Sequence, residues 1–292
     1  MIYVIMGPTC SGKTEVANYL IDKLNCCAIN FDAFQIYKDM NVGTAKIEKS
    51  DPHYTRYKLL DIRTPEQTFS VMEYQSLCRD AINEELKTNK NVVLVGGTGL
   101  YAKAALYDYV FNVEKEIDNT ELEKLSNEEL WETLKTLDEN ESKKIHVNNR
   151  KRLIRAINLI NSSDKNKTEL LSQQSHDLIY KNVKFIFLNP NREDLYHNIN
   201  NRVIDMVNNK GLIDEVRELL NKYQLSLTAS QGIGYKEVIE YLNGKLTLQE
   251  CIALIQKRTR NYAKRQVTFF KNQFKYEEYI SKEDAIKALS ED

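Results

Sequence analysis

The segment with the clearest chemical signature is residues 7–14, GPTCSGKT, which match the phosphate-binding pattern GxxxxGK[ST] in full. An apolar run at residues 2–6 predicts a strand before it, and Lys13 to Leu24 have helical spacing after it. Glycines let backbone amides turn toward phosphate oxygens, the helix start adds positive potential, and Lys13 adds a point charge. The hydroxyl of Thr14 is a candidate Mg²⁺ ligand. The motif predicts a cradle for two linked phosphates, formed by Gly7, Pro8, Thr9, Cys10, Ser11, Gly12, Lys13 and Thr14.

Asp32 is the second candidate for chemistry. It follows a short predicted strand, Cys27–Phe31, nineteen residues after Lys13. Open α/β sheets bind their ligands at the carboxyl ends of the strands, so a carboxylate here could orient or deprotonate an acceptor amine or hydroxyl. The alternative is that Asp32 caps or forms the turn at residues 33–35.

Gly96, Gly97 and Thr98 follow another predicted strand, Asn91–Val95, and open a helix. Small residues admit a ligand close to the backbone, and Thr98 adds a hydroxyl at the same sheet edge as the phosphate loop. Tight packing alone is the alternative. An ATP-hydrolysing site needs an acid at the end of an apolar strand to hold magnesium, whereas this strand ends in glycines. Asp32 ends a different strand and could take that place, but it could equally serve as a base toward an acceptor. The residues therefore favour a P-loop transferase over a hydrolase.

Two groups of arginines are candidates for contacts with nucleic acid. Arg152 and Arg155 lie on one turn of a predicted helix and could grip phosphates. Between residues 257 and 275 there are seven lysines and arginines and no acid, and aromatic residues alternate with them at helical spacing. This stripe, which suits stacking on single-stranded RNA, consists of Arg258, Tyr262, Arg265 and Phe269. For both groups the alternative is an exposed cationic face on a helix packed by its apolar residues.

Composition excludes several classes of protein. Of the 292 residues, 42% are hydrophobic, which is enough for a substantial core. The longest apolar runs have the length of strands, so no membrane-spanning helix is predicted, and we expect a cytoplasmic protein without a signal peptide. The five cysteines show no CxxC spacing, which argues against a disulfide framework or a zinc site. The net charge of −1 by itself argues against a protein that binds polyanions over its whole surface, but the local basic stripe matters more for nucleic acid than the net value does.

The order of the predicted elements indicates an α/β fold, in which a P-loop NTPase-like parallel sheet is flanked by helices and carries an inserted all-helical domain. Residues 1–112 are expected to form the first part of the core, and residues 179–292 the second part with the C-terminal helices. Residues 113–178 are charged and nearly free of strand patterns, and are expected to form the insertion. Further expected elements are a helix opened by the capping box of Ser70 and Glu73, a strand at Val183–Leu188, and helices at 193–209, 213–222 and 247–274.

Together these segments resemble the bacterial tRNA dimethylallyltransferases, over nearly the whole chain. The resemblance rests on eight motifs in the same order: GPTCSGKT at 7–14, DAFQIYKDMNVGTAK at 32–46, LLDI at 59–62, VGGTGLY at 95–101, IHVNNRKRLIRAI at 145–157, RVIDMVNNKGLIDEV at 202–216, GIGYKEVIEYLNGK at 232–245 and TRNYAKRQVTFF at 259–270.

The resemblance implies an enzyme that transfers a dimethylallyl group from dimethylallyl diphosphate to the exocyclic amine of adenine 37 in the tRNA anticodon arm, with Mg²⁺ as cofactor. Nothing in the chain calls for more than a monomer. It makes Asp32, Thr98 and Lys13 catalytic, with Asp32 taking the amine proton. Arg202 joins residues 7–14 in binding the diphosphate, and Thr14 is the metal ligand. The residues that it implies in tRNA binding are Asp32, Ala33, Phe34, Gln35, Thr98, Lys151, Arg152, Leu153, Ile154 and Arg155, and the basic stripe adds Arg258 and Arg265.

Several positions depart from the family pattern without removing a group that the chemistry requires. Ala33 stands where serine is common, Tyr57 and Lys58 replace a histidine pair, Val147 replaces a proline, and Phe269 replaces a tryptophan. Three other functions use the same motifs: a small-molecule or nucleoside kinase, a prenyltransferase acting on free AMP or ADP, and an RNA-binding protein regulated by a nucleotide.

Overall fold

The computed structural model describes residues 1–88, 90–109, 111, 119–161 and 177–291. The chain forms two compact units: Met1–Leu106 together with Tyr180–Asp292, and Tyr107–Ile179. Of the predicted insertion 113–178, residues 113–118 and 162–176 lie outside the described residues.

The first unit is built on one sheet whose described strands are all parallel, in the order β3-β2-β4-β1-β5-β6. The strands are β1 (Ile2–Met6), β2 (Ala28–Asn30), β3 (Tyr57–Lys58), β4 (Val92–Gly96), β5 (Val183–Leu188) and β6 (Glu277–Tyr279). The inner strands β2 and β4 are buried throughout, as near-continuous apolar runs require when helices cover both faces of a sheet. The prediction of an α/β fold with a parallel sheet is confirmed.

The helices complete both units. In chain order they are α1 (Lys13–Leu24), α2 (Val71–Thr88), α3 (Gly99–Leu106), α4 (Thr120–Lys124), α5 (Asn127–Leu137), α6 (Glu139–Ser142), α7 (Arg150–Asn161), α8 (Arg192–Asn208), α9 (Leu212–Lys222), α10 (Leu227–Ser230), α11 (Tyr235–Leu242), α12 (Leu248–Gln273) and α13 (Lys282–Glu291). The described part of the chain contains no helix long and apolar enough to span a membrane.

Most of these elements follow from local sequence. The bounds of β1, α1 and β5 agree with the patterns of apolar residues that predict them. Ser70 and Glu73 form the expected capping box, since each backbone N–H donates to the side chain of the other residue, at 2.8 and 3.1 Å. The short strands β3 and β6 and the helices α10, α11 and α13 were not predicted.

The topology of the sheet gathers the candidate residues at one edge. Parallel strands end on the same side, and β1, β2 and β4 are adjacent in the sheet. Gly7 follows β1, Asp32 lies two residues beyond β2, and Gly97 follows β4. This is the crevice beyond the carboxyl ends of the strands, where open α/β sheets bind ligands.

The second unit consists of the helices α4 to α7 around a small core of its own. That core contains Leu130, Leu134, Ile145, Leu153, Ala156 and Ile157. Arg150 holds the end of α4, because its guanidinium donates to the carbonyls of Leu122, Glu123 and Leu125 at 2.7 to 3.2 Å. A cation that takes up the free carbonyls at the end of a helix also stabilises its dipole.

Candidate active site

The phosphate loop has the backbone that its glycines predict. Cys10 and Gly12 lie in the left-handed region, with φ of 63° and 84°. Gly7 packs so closely on β5 that an added Cβ would lie 2.6 Å from the carbonyl oxygen of Leu188. Ser11 is 5% exposed, and its hydroxyl has no hydrogen-bond partner among the described residues. A buried donor without a partner fits a loop shaped around an anion such as diphosphate.

Lys13 is held inside the loop, where its amine donates to the carbonyl of Pro8 at 2.6 Å. Burial lowers the pKa of Lys13 to about 8, although the negative charge of Asp32 raises it, and the positive charge of Arg202 lowers it further. Arg202 reaches the same place from α8 and is half-buried. Two cations that repel each other across a pocket make a site for a strongly anionic group.

Asp32 is oriented by its own turn. Its Oδ1 accepts backbone N–H bonds from Phe34 at 2.9 Å and Gln35 at 3.4 Å, and its N–H donates to Asn30 Oδ1 at 3.1 Å. Within the described residues, no hydrogen bond engages Oδ2. The two readings of Asp32 are thus compatible, because one oxygen forms the turn while the other remains an acceptor.

Thr98 faces the same turn from the end of β4. Its Oγ1 accepts the backbone N–H of Ala33 at 3.1 Å. The hydroxyl of Tyr262, from α12, lies beside Thr98 and Gln266. Burial, followed by the charge of Asp32, raises the pKa of Tyr262 well above its ordinary value, so the phenol remains neutral.

These groups surround a cavity of about 840 Å³ in the first unit. That volume is within the usual range for small-molecule sites, about 300–1,000 Å³. The candidate residues that line the cavity are Thr9, Cys10, Ser11, Gly12, Lys13, Thr14, Asp32, Phe34, Gln35, Arg202 and Arg265. As the described residues define it, Gly7, Pro8, Ala33, Thr98 and Arg258 are not part of the lining.

Glu215, which the sequence analysis did not single out, holds residues 41–43, a segment after Asp32 that forms part of the cavity wall. The carboxylate of Glu215 accepts the backbone N–H groups of Asn41, Val42 and Gly43 at 2.7 to 3.2 Å, and the hydroxyl of Tyr235 at 2.7 Å. Gly43 lies against the ring of Tyr235, where an added Cβ would be 2.5 Å from a ring carbon. Glu215 lies within the motif at 202–216, but the motif does not show its role, because three of its partners are backbone amides about 170 residues earlier in the chain.

Comparison with known proteins decides the family. The model of the IPP transferase family matches residues 35–273. A tRNA dimethylallyltransferase of Anoxybacillus flavithermus is 40% identical over 287 residues, covering 98% of this chain and 92% of the relative. The tRNA dimethylallyltransferase of Bacillus subtilis is 37% identical, covering 93% of this chain and 88% of the relative.

The chain belongs to the tRNA dimethylallyltransferase (IPP transferase) family. Solved structures agree with this assignment. A tRNA isopentenylpyrophosphate transferase of Staphylococcus epidermidis has a TM-score of 0.72 and 32% identity, covering 99% of this chain and 97% of the other. A eukaryotic dimethylallyltransferase acting on tRNA has a TM-score of 0.81 and 25% identity, covering 95% of this chain and 73% of the other.

The residues that the family resemblance assigns to tRNA binding on α7 differ in exposure. Lys151, Arg152 and Arg155 are exposed and Ile154 is half-buried. Leu153 is fully buried in the core of the second unit, so its side chain packs and does not present a surface to RNA. This corrects the expectation that every member of the stretch makes a contact.

Several side chains of α12 have partners inside the first unit. Arg258 is paired with the buried carboxylate of Glu237, whose other oxygen accepts the backbone N–H of Gly234 at 2.6 Å. Gln266 bonds with the phosphate loop and with the turn after β4. Phe269, where the family commonly has tryptophan, packs onto Gly99, since an added Cβ there would be 2.3 Å from its ring. Arg265 is exposed, with its guanidinium 5.7 Å from the ring centre of Tyr262.

The residues present fit a magnesium ion that enters with a diphosphate. No group of three or more His, Cys, Asp or Glu side chains suited to a metal occurs in the described ranges. Thr14 lines the cavity and is exposed, so its hydroxyl is available as a single protein ligand. Mg²⁺ usually keeps several waters and takes few protein ligands when substrate phosphates supply the rest.

Proposed function

We propose that this protein transfers the dimethylallyl group of dimethylallyl diphosphate to the exocyclic amine of adenine 37 in the anticodon arm of tRNA. The observation that carries the proposal is that the carboxylate of Asp32 and the cations Lys13 and Arg202 line one cavity. An acceptor for a proton and a site for an anionic leaving group are the two requirements of this substitution. Family membership supplies the substrate class.

The donor half of the reaction is assigned to the phosphate loop and to Arg202. As the bond between the allylic carbon and the diphosphate oxygen breaks, negative charge grows on the diphosphate. Lys13, Arg202 and the amides of the loop are fixed donors in a partly enclosed site, where removal of one such donor costs on the order of 3 kcal/mol, roughly a hundredfold in rate. Mg²⁺, held by diphosphate oxygens and the hydroxyl of Thr14, would supply further neutralisation of the leaving group.

The acceptor half is assigned to Asp32 and Thr98. The adenine amine attacks the allylic carbon directly, and its proton passes to Asp32 Oδ2, the oxygen that the turn leaves open. Thr98 fixes this turn through the N–H of Ala33. The tRNA surface is assigned to Ala33, Phe34 and Gln35 beside the cavity, to Arg265, and to Lys151, Arg152 and Arg155 on α7.

The first experiment is mass spectrometry of nucleosides from unmodified tRNA incubated with the protein, Mg²⁺ and dimethylallyl diphosphate. We expect isopentenyladenosine only when both substrates are present. Asp32→Ala and Lys13→Ala should be nearly inactive, and Asp32→Ala should still bind tRNA. Asp80→Asn, an exposed change on α2 outside the cavity, is the matched control.

Other outcomes identify the other functions. ATP consumption without RNA and without prenylated product would favour a kinase. Prenylation of free AMP or ADP, with tRNA left unmodified, would favour the nucleotide prenyltransferase. Full activity of Asp32→Ala would remove this carboxylate as the base while leaving the transferase reaction in place.

A further inference from the structure

Gln266 is a buried amide of which both ends are bonded to backbone groups. The residue lies on α12 and is 5% exposed. Its Oε1 accepts the backbone N–H of Thr9 at 3.0 Å, and its Nε2 donates to the backbone carbonyl of Gly97 at 2.9 Å. A primary amide accepts at one atom and donates at the other without carrying charge. Gln266 therefore joins the phosphate loop to the turn after β4.

The two segments that Gln266 joins carry the two halves of the proposed reaction. Thr9 belongs to the loop that contains Lys13, on the donor side. Gly97 lies next to Asp32 on the acceptor side, because a Cβ built on Gly97 would be 3.7 Å from Asp32 Oδ2 and 2.3 Å from Gln266 Nε2. Because the backbone N–H of Thr9 already donates to Gln266, this N–H fixes the phosphate loop and does not bind the dimethylallyl diphosphate.

Tyr262 closes the same group of contacts one turn earlier on α12. Its hydroxyl lies beside Thr98 and Gln266, and burial together with the Asp32 carboxylate keeps the phenol protonated. The amide thus sits among neutral donors and backbone groups. A charge introduced at this position would face the carbonyl of Gly97, which is itself an acceptor.

We infer that Gln266 is a positioning residue that sets the distance between the diphosphate donor and the adenine acceptor. This inference rests on the proposed function. Gln266 lines the cavity, but both ends of its amide are bonded to backbone groups, so it acts through Thr9 and Gly97. In a direct displacement the reacting atoms must be closely aligned, and a misplacement of about 1 Å can cost roughly a hundredfold in rate.

The test is Gln266→Glu. This change keeps the shape of the side chain, but the new side chain can donate a hydrogen bond only when its carboxyl group is protonated. An ionised Glu accepts from Thr9 but places its second oxygen against the Gly97 carbonyl, whereas a protonated Glu can accept and donate as the amide does. Burial raises the pKa of a carboxyl, so protonation is reached in a practical range. We expect the single-turnover rate at saturating substrates to fall roughly a hundredfold at about pH 8 and to recover, relative to wild type, by roughly tenfold at about pH 5.5.

Three comparisons isolate the role of the amide. Gln266→Ala should be slow at both pH values while the Kd for tRNA is unchanged. Gly97→Ala should also be slow at both, because its methyl group displaces the amide. Gln256→Glu is the matched control on the same helix: its amide donates to the carbonyl of Asn200 at 3.1 Å and does not line the cavity, so its rates should follow wild type.

A wild-type rate in either Gln266 variant, or a loss in Gln266→Glu that is equal at both pH values, would overturn the inference. The recovery of the single-turnover rate at low pH is measured on one variant, Gln266→Glu. A smaller fraction of folded enzyme would lower its rate at both pH values and would not produce this recovery. Wild-type enzyme is assayed alongside. If it transfers no prenyl group, the proposed function itself fails, whereas active wild type with unaffected variants refutes only the positioning role.

Discussion

The guanidinium of Arg258 is paired with the carboxylate of Glu237, a side chain with no exposed surface. The second oxygen of Glu237 accepts the N–H of Gly234, whose φ of 94° is in the left-handed region. A residue of the basic stripe therefore supports the turn that begins α11, beside the cavity.

Removal of this arginine should destabilise the fold. Arg258→Ala leaves a buried carboxylate without its cation, and we expect the free energy of unfolding to fall by about 2 kcal/mol, since Arg258 is itself partly exposed. Urea unfolding monitored by circular dichroism measures this. Arg258→Lys should retain part of the stability, and equal stability of Arg258→Ala and wild type would contradict the role of the pair.

Arg265 should contribute to RNA binding through its charge. It is exposed at the cavity, and one phosphate contact changes the slope of log K against log salt by about 0.7 to 1. We expect Arg265→Ala to reduce the slope for tRNA binding by roughly that amount, whereas Arg258→Gln, which also removes a positive charge, leaves the slope unchanged because Arg258 is paired with Glu237. Fluorescence anisotropy at several salt concentrations tests both variants. If Arg258→Gln lowered the slope as much as Arg265→Ala, Arg258 would be an RNA contact.

Lys13 should make donor binding dependent on pH. Burial lowers its pKa to about 8, so in the free enzyme its charge is lost as the pH rises through that value. We expect kcat/KM for dimethylallyl diphosphate to fall above about pH 8, because this ratio reports ionisations of the free enzyme. Arg202→Met removes a neighbouring positive charge and should move the decline to higher pH. A decline that persisted in the residual activity of Lys13→Met would have another origin.

His53 should stabilise the fold more at low pH than at high pH. Its ring nitrogens lie 2.9 Å from Asp22 Oδ2 and 3.0 Å from Asp51 Oδ1, and hydrogen bonding to Asp22 is the largest cause of its raised pKa. A raised pKa in the folded state means that the contribution is present below the ordinary histidine pKa and is lost as pH rises through the raised value. We expect the stability difference between wild type and His53→Gln to shrink from about pH 6 to about pH 8. Arg56, which also contacts Asp22, is unchanged in this comparison, and a difference independent of pH would argue against the bridge.

The sequence predicts the central part of the fold because its signals are local. β1, β4 and β5 are strands of five or six mostly apolar residues, and the phosphate motif fixes the turn after β1. β3 and β6 are two and three residues long, with no run of apolar residues, so only pairing with their neighbours defines them. α13 lies in an acidic stretch whose buried positions, Ala285 and Leu289, are too few to form a clear pattern.

The residues of the candidate site also fall into those that the sequence identifies and those that only the structure shows. Residues of the phosphate loop and Asp32 are found by motif and by their position after a strand, and the structure places them around one cavity. Helical spacing alone could not show that Arg258 has a buried acid as partner, because Glu237 comes from a different helix. Gln266 lies within the motif at 259–270, but the motif does not show its role, which depends on two backbone atoms that only the folded chain brings within reach.

The bond between Thr9 and Gln266 also bears on how the protein is made. The two residues are 257 positions apart, and Lys282, whose side chain covers Gly12, comes later still. At roughly 5 to 20 residues per second, a ribosome adds Gln266 about 13 to 50 s after Thr9. During translation the phosphate loop therefore exists for most of that interval without the helix that fixes it, and a nascent chain gains a complete donor site only after Gln266 and Lys282 have been added.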